Sequence, residues 1–445
     1  MVKRRFRSFS SFKCTSVLVL GDVMCDQYTY GHVKRISPEA PVPIFGVDNM
    51  RVLPGGAGNV ALNLQALGAK VYIVGRIGND QEGHHLWNIL QKEGINTEGL
   101  FFQDEYRTCI KNRLIANSQQ LIRIDEEEIT PIKTKLQEDV IAFVTAHLDE
   151  IDVIAFSDYG KGFLSSYLLD TIITLSRQKK IPTLIDPKGD DFSKYQYPTL
   201  IKPNLKEAYN ASKLSAATPL DQVAKQLFKI SHCEFLLITR SEEGLVLFTR
   251  LGGRLDVPAQ AREVRDVTGA GDTVLAMLVM IFGAQIDLEE TLDLLNIAAG
   301  IAIEHVGCQR VSLADIAERL LQIDALDKVF DEDHLFVLAQ ALQRKKLTVL
   351  SFDPIKERID SLFPLIRNLA EERLSADERL LIYLNQACAD DDVVAVLASL
   401  HSVDFIVLQS NCLAHLCDKV CPHRVYLVSE GKLIEMTSHH ELLCN

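Results

Sequence analysis

Nowhere in this sequence do uncharged apolar residues run on for the roughly 20 positions that a bilayer-crossing helix needs, so no transmembrane helix is expected. Cysteine is sparse: 10 residues stand singly along 445, far below the density of a disulfide scaffold, and reduced thiols are the expectation. Positive charge is also short. Lys and Arg total 47 against 60 Asp and Glu, a net charge of −13, and a nucleic-acid footprint needs the clustered cations that are missing here. Any phosphate must be bound locally. The basic start Met1 to Arg7 is followed by Ser8 to Thr15 where an exported chain carries its apolar stretch, so a cytoplasmic location is expected. Internal repeats and low-complexity tracts are lacking as well.

The chain is too long for one typical domain, which sets a prior of two or three. From Ser16 to about Ala325, short β-rich runs alternate with helix-length amphipathic segments, the pattern of a layered α/β domain with a mainly parallel sheet. Strands are expected at Val17–Leu20, Val71–Val74, Val153–Phe156, Thr183–Ile185, Leu200–Ile201 and Phe235–Ile238. Several run straight into polar loops: Gly21-Asp22, Ser157-Asp158-Tyr159, Asp186-Pro187-Lys188 and Thr239-Arg240. In open α/β sheets ligands bind beyond the carboxyl ends of strands. Residues 27–50 break the pattern with Pro, Gly and β-formers and read as a lid. A polar stretch, Asp324 to Lys328, reads as a linker, giving domains at 1–325 and 330–445. The second is expected as a helix at Asp333–Arg344, a strand at Leu347–Ser351, helical runs from Pro354 to Cys388, a helix at Asp391–Leu400, a strand at Asp404–Leu408, and a final helix and hairpin.

The strongest chemical signal is Asp266-Val267-Thr268-Gly269-Ala270-Gly271-Asp272, followed at once by the apolar run Thr273 to Phe282. Glycines at a helix start let successive N–H groups converge where the helix dipole also favours negative charge, which makes an anion hole from Gly269, Ala270 and Gly271. A carboxylate beside such a hole repels phosphate; Asp272 suits the removal of a proton from a hydroxyl as its oxygen attacks phosphorus. A second signal is Pro54-Gly55-Gly56-Ala57-Gly58-Asn59, running on to Asn63. Its glycines allow close backbone approach to a ligand, and Asn59 can both donate to and accept from sugar hydroxyls, whereas Asn63 reads as structural. No Gly-Lys-Ser/Thr follows, so this is not a P-loop, and the glycine spacing is wrong for a dinucleotide fingerprint.

Other strand ends carry candidates. Lys188 can reach a bound phosphate, with Asp186 positioning its ammonium; Asp158 and Lys161 are candidates for contact with the same ligand. An anionic sugar needs at least one cation, offered by Lys34, Arg35, Arg107, Arg113 and Arg123. The small residues near Asn296 to Gly300 leave an apolar slot for a flat ring, where plain helix packing is the competing reading.

The early Gly-Gly-x-x-Asn and late Gly-Ala-Gly-Asp segments resemble the ribokinase-like (PfkB) sugar kinase family. The likeness extends, over about Val17 to Ala317, to the heptose-7-phosphate kinase domains of bacterial bifunctional heptose kinase/adenylyltransferases, through Gly21-Asp22-Val23-Met24, the Arg35 to Pro43 run, Gln119 to Arg123, Ser157-Asp158-Tyr159, Asp186 to Gly189 and Thr239 to Glu242. It implies a doubly wound α/β kinase domain with a small β lid, and ATP-dependent phosphorylation at C1 of D-glycero-D-manno-heptose 7-phosphate on the route to the lipopolysaccharide inner core. It makes Asp272 the base and the Gly269–Gly271 amides the phosphoryl receivers, and it places Asp22, Gly55, Gly56 and Asn59 at the sugar. Asn204 and Glu207 match the family's Asn-x-x-Glu, associated with Mg2+ through water; a helix capping pair is the competing reading and both can hold. Thr239 and Arg240 fall to the ATP side, and lid pairing implies a homodimer.

The likeness fails after residue 330. Where the bifunctional relatives have His-x-Gly-His after a strand ending in Phe-Asp, this chain has Phe352-Asp353-Pro354-Ile355 and then Lys356 to Asp360, with neither histidine nor glycine. The expectation is a nucleotidyltransferase fold that is retained and chemically silent, so that the adenylyl step needs a separate adenylyltransferase. Cys412, His415, Cys417, Cys421 and His423 crowd together, yet their spacing lacks Cys-x2-Cys pairs and buried thiols are the simpler expectation. Two other functions remain open: a kinase for another phosphorylated sugar, and a sugar-phosphate-binding scaffold without turnover.

Overall fold

The computed structural model describes residues 12, 15–117, 119–259, 264–304, 307, 310–323, 328–331, 334–354, 357, 359–372, 377–385, 391–408 and 412–436. They form two compact units, Phe12–Ser312 and a second from Leu313 onward.

In the first unit a nine-stranded sheet runs in the order β13-β12-β11-β10-β9-β8-β1-β4-β5. These are β1 (Ser16–Gly21), β4 (Lys70–Gly78), β5 (Asn96–Gln103), β8 (Val153–Ser157), β9 (Thr183–Asp186), β10 (Leu200–Ile201), β11 (Phe235–Thr239), β12 (Leu245–Thr249) and β13 (Arg254–Val257). All neighbours pair parallel except β11 with β12 and β12 with β13. Central strands of a parallel sheet are covered on both faces, which is why β1 reads Val17-Leu-Val-Leu20 without alternation and every one of these four is fully buried. One face meets helices whose apolar residues recur every three to four positions, as in α4 (Ser166–Gln178), where Leu168, Leu169, Ile172 and Ile173 are buried and Ser165 caps the first turn. The other helices of this unit are α1 (Ala57–Ala66), α2 (Gln81–Lys92), α3 (Thr134–His147), α5 (Leu205–Ser212), α6 (Leu220–Ser231), α7 (Ala270–Gly283) and α8 (Leu288–Ile303). Helix α7 is apolar all round after its first turn and accordingly buried from Asp272 to Ile281.

All six strands expected in this unit are present. The lid is larger than the sequence reading made it. It is a four-stranded sheet, β3-β2-β6-β7, that joins β2 (Val23–Ile36) and β3 (Pro43–Gly56) to a hairpin of β6 (Cys109–Ala116) and β7 (Gln119–Glu126). The hairpin is not legible in the sequence because β7 is exposed on both faces and so lacks the apolar alternation that marks a half-buried strand.

The second unit holds a six-stranded sheet, β14-β17-β16-β15-β18-β19, parallel apart from the final pair. Its strands are β14 (Val329–Phe330), β15 (Lys346–Phe352), β16 (Glu378–Leu384), β17 (Phe405–Leu408), β18 (Arg424–Ser429) and β19 (Lys432–Glu435); its helices are α9 (Leu313–Ile323), α10 (Leu335–Leu342), α11 (Ile359–Glu371), α12 (Asp391–Ser399) and α13 (Leu413–Val420). The two-residue strand period divides each strand between two cores: Leu347 and Val349 of β15 face one, Leu350 and Phe352 the other. Two expectations are corrected here. The stretch from Pro354 to Cys388 is not helical throughout, because Glu378–Leu384 is a central strand; a short unbroken apolar run does not betray its type by periodicity. Helix α9 groups with this unit, where Lys345 pairs with its Glu318 at 2.7 Å, so the compact units divide before it rather than after it. The expected linker lies, but for Lys328, outside the described residues. Among the described residues no three His, Cys, Asp or Glu side chains converge as a metal site; Cys417 is buried in a core, while Cys412 and Cys421 are exposed.

Candidate active site

The carboxyl ends of β1, β8 and β9 lie in register, Gly21 beside Ser157 and Ser157 beside Asp186, so the loops that follow them form one rim. Gly21 is required by that closeness: a Cβ there would stand 2.1 Å from the Ser157 carbonyl oxygen. Gly56 is required twice over. It takes φ +58° as the chain turns from β3 into α1, and a Cβ would meet the Asp22 carbonyl oxygen at 2.4 Å. That turn delivers Asn59, which is 2% exposed, inward on the first turns of α1.

The late glycine motif enters from the other side. Asp266 builds it by accepting from the amide and hydroxyl of Thr268 and from the amide of Gly307. Burial works against that carboxylate, but these hydrogen bonds outweigh it and hold the group below its ordinary value. Gly269 caps α7 at φ +82°; the Ala270 amide reaches back to the Val267 carbonyl at 3.4 Å, and the Gly271 amide lies in a first turn that offers it no intrahelical acceptor. Asp272 occupies the same turn. Asn59 Nδ2 donates to its Oδ2 at 2.7 Å and the Tyr159 hydroxyl donates to its Oδ1 at 2.9 Å. Burial pushes the Asp272 carboxyl up to about 7, with Asn59 pulling it down and the Asp186 charge adding to the rise. A carboxyl poised there can exchange a proton near neutral pH.

The structure thus brings together Asp22, Gly55, Gly56, Asn59 and Asp272 with the Gly269–Gly271 turn. Asp22, however, is spent on the protein: its carboxylate accepts from the amides of Tyr159 at 2.9 Å, Lys161 at 3.0 Å and Phe163 at 3.4 Å. Asp158 likewise accepts from Lys194 at 2.6 Å, from Tyr195 at 2.8 Å and from its own loop at Gly160. Lys161 Nζ pairs with Glu127 at 2.6 Å. Asn63 ties α1 to the amide of Val311 at 3.2 Å. Gly55 leaves no room for a side chain because the Asp26 carboxylate, paired with Arg113, stands 2.2 Å from its ideal Cβ.

On the opposite flank Asn204 and Glu207 form a reciprocal capping box at the start of α5, and Glu207 also pairs with Lys188 at 3.0 Å. Thr239 bridges Asn204, and Arg240 pairs with Asp256 at 3.1 Å. Asn296 donates to the Pro258 carbonyl at 2.6 Å, fastening α8 to the chain after β13. Arg35 is exposed near the distal end of β2, roughly 40 Å along the strand from Asp22 at ~3.3 Å per residue, so the strand path carries it away from the buried cluster. Lys34 and Arg107 are also exposed, Arg123 is held bidentately by Asp125, and Arg113 faces Asp26.

Three members of the site were missed. Lys202, 3% exposed, pairs with Asp186 at 2.9 Å, and both reach the mouth of α7, since a Cβ on Gly271 would lie 3.5 Å from Lys202 Nζ. Its signal was available: it follows β10 directly, as Asp22 follows β1. Tyr159 has a signal too, since it belongs to the polar segment Ser157-Asp158-Tyr159 at the end of β8. Arg76 had no signal, being a cation within an apolar strand run; it is 2% exposed and donates to the Lys161 carbonyl at 2.8 Å.

Residues 15–315 match the pfkB family carbohydrate kinase, a family of sugar phosphotransferases, and the chain belongs to that family. Kinases of this family use ATP. Its relatives are more specific. It is 41% identical to the bifunctional protein HldE of Geobacter metallireducens over 310 residues, 69% of this chain and 63% of that protein, so less than two thirds of that relative's length is matched. It is 36% identical to the HldE protein of Citrifermentans bemidjiense over 431 residues, covering 92% of this chain and 87% of the relative. The fold is that of solved structures such as Arabidopsis thaliana ribokinase, with TM-score 0.55 and 17% identity over 69% of this chain and 99% of that one. Phosphofructokinase-2 from Escherichia coli shares it too, with TM-score 0.58 and 16% identity over 70% and 99%.

Proposed function

We propose that the chain transfers the γ-phosphoryl group of ATP to C1 of D-glycero-D-manno-heptose 7-phosphate, giving the 1,7-bisphosphate of inner-core lipopolysaccharide synthesis. The observation that carries this is Asp272, buried at the first turn of α7 between Asn59 and Tyr159, in a unit that is 41% identical to HldE proteins. Asp272 takes the proton of the anomeric hydroxyl as its oxygen attacks phosphorus in line. The amides of Gly269, Ala270 and Gly271 receive the transferring group, and Lys202 and Lys188 are placed to meet developing negative charge. Gly55, Gly56 and Asn59 wall the sugar, while Asp22 serves it indirectly by holding the 159–163 loop. Lys161 and Asp158 complete that wall through their ion pairs. Asn204, Thr239, Arg240 and Asn296 shape the nucleotide side. Arg35, on the lid, is placed to serve a phosphate only where the lid folds over a site, its own or that of a second copy in a homodimer.

The donor set fits Mg2+ held mainly by ATP. No three carboxylates converge among the described residues, and Glu207 offers a single one, already bonded to Lys188 and to the Asn204 amide, which suits a cation that keeps most of its water. Bound there, Mg2+ supplies neutralisation of phosphate charge. In the second unit the strand β15 ends at Phe352-Asp353-Pro354 without an imidazole, and this supports the reading that adenylyl transfer is lost and falls to a separate enzyme. The test is to incubate the protein with heptose 7-phosphate, ATP and Mg2+ and follow 31P resonances. A new anomeric phosphate is expected, with no nucleotide-linked sugar. Turnover on another phosphorylated sugar in preference would replace the substrate, and no turnover on any would leave a binding scaffold.

A further inference from the structure

The side chain that completes the grip on Asp272 is mounted with unusual care. Tyr159 stands on a loop fixed from two sides by buried charges. Asp22, 4% exposed, accepts the amides of Tyr159, Lys161 and Phe163 in succession; Arg76, 2% exposed, donates to the Lys161 carbonyl and lies over the Tyr106 ring at 4.2 Å. Burying a carboxylate and a guanidinium costs several kcal/mol unless each is matched by partners, so their pairing here with one short loop is a constraint on where that loop puts its side chains. What it puts in place is a phenol 2.9 Å from Asp272 Oδ1, opposite the Asn59 amide at 2.7 Å from Oδ2. Burial, with the Asp272 charge next, keeps the Tyr159 phenol well above its ordinary value, so it stays a donor.

We propose that Tyr159 is a positioning residue of the phosphoryl transfer: by donating to Oδ1 it fixes the plane of the Asp272 carboxylate, leaves a lone pair aimed at the acceptor hydroxyl, and sets the pH at which that lone pair becomes available. This rests on the reading of Asp272 as the base. In the step, the sugar O–H proton passes to Asp272, the sugar oxygen bonds to the γ-phosphorus, the bond from that phosphorus to the β–γ bridging oxygen breaks, and ADP leaves. Tyr159 keeps its proton throughout. The other groups that face the carboxylate are Asn59 from α1 and, through space, Asp186 from the end of β9 and Lys202 from the loop after β10; Asp26 faces the phenol from β2. A hydrogen bond to the ionised form favours that form, so removing it moves the titration upward.

The experiment is a 13C-NMR titration of full-length protein labelled at aspartate carboxyl carbons, with the Asp272 resonance identified by its loss in Asp272→Asn. Tyr159→Phe, which deletes one oxygen and keeps the ring, is expected to raise the midpoint of that resonance by about one pH unit, a change worth ~1.4 kcal/mol. The acid limb of kcat/KM moves up with it. A midpoint unchanged in Tyr159→Phe overturns the proposal, since a merely structural tyrosine would lower the melting temperature without moving Asp272. The titration needs no turnover. A protein that phosphorylates no heptose therefore defeats the functional reading while the role of Tyr159 is still read directly.

Discussion

The two sheets of this chain obey the same rules and carry different cargo. Both are mainly parallel, both bury their central strands on two faces, and both end their strands along one rim. In the first unit ionisable groups are buried at that rim: Asp22, Asp158, Lys161 and Lys202 on strand-end loops, with Asp272 on α7, are all under 9% exposed. Among the described residues of the second unit, the buried polar side chains are His334 and Ser351, and none is Asp, Glu, Lys or Arg. Removing charge from water is costly, and a sheet does not need it to fold, as the second unit demonstrates. Charges buried at the end of a strand therefore need a reason beyond folding, and the phosphoryl transfer proposed above supplies one for the first unit alone.

The sharpest way to break this contrast is Asp272→Asn. We expect turnover to fall by about 10³-fold, within the range for loss of a general base, with nucleotide and sugar affinity by calorimetry little changed. Retention of turnover within tenfold would remove Asp272 from the role. The same group sets a pH dependence. Because burial raises its carboxyl to about 7, the protonated and inactive form dominates below that pH, so wild-type kcat/KM is expected to drop tenfold per unit below about 7. A profile flat down to pH 5 would contradict it.

The next effect is on stability and separates a crowded rim from an open turn. Gly21→Ala forces a Cβ to within 2.1 Å of the Ser157 carbonyl and is expected to cost about 3 kcal/mol, seen as a fall in melting temperature. Gly431→Ala, in the second unit's hairpin at φ +72° with nothing within 4 Å, carries only the left-handed penalty of about 1 kcal/mol. Equal losses would mean that the rim yields to the added methyl.

How far such features were legible in the sequence depended on whether their cause was local. The buried strands and the glycine turns announce themselves through apolar runs and obligatory positive φ, so Gly56, Asn59 and Asp272 were all found. Tyr159 and Arg76 act across long stretches of chain, Tyr159 meeting Asp272 and Arg76 meeting Lys161 only after the sheet assembles; the Ser157-Asp158-Tyr159 strand end marks the loop but not the tyrosine's partner, and nothing marks Arg76. Asp22 and Asp158 follow β1 and β8 as the sequence pattern implies, but their bonds to the 159–163 loop and to Lys194 and Tyr195 are tertiary facts. Strand β16 was mistaken for helix because seven residues are too few to show a period.

The smallest expected effect falls on the second unit. Asp353 directly follows β15 as Asp22 directly follows β1, and the question is whether it does anything to a phosphate. A carboxylate repels the charge that builds on a nucleotide phosphate in transfer, and no imidazole in the segment Asp353 to Asp360 offsets it. Asp353→Ala in the full chain is therefore expected to leave heptose phosphorylation within about twofold, and wild-type protein given heptose 1-phosphate, ATP and Mg2+ is expected to release no pyrophosphate above the uncatalysed rate. Pyrophosphate release that disappears in Asp353→Ala would show that the second rim is also at work, and that buried charge is not required for a strand end to carry chemistry.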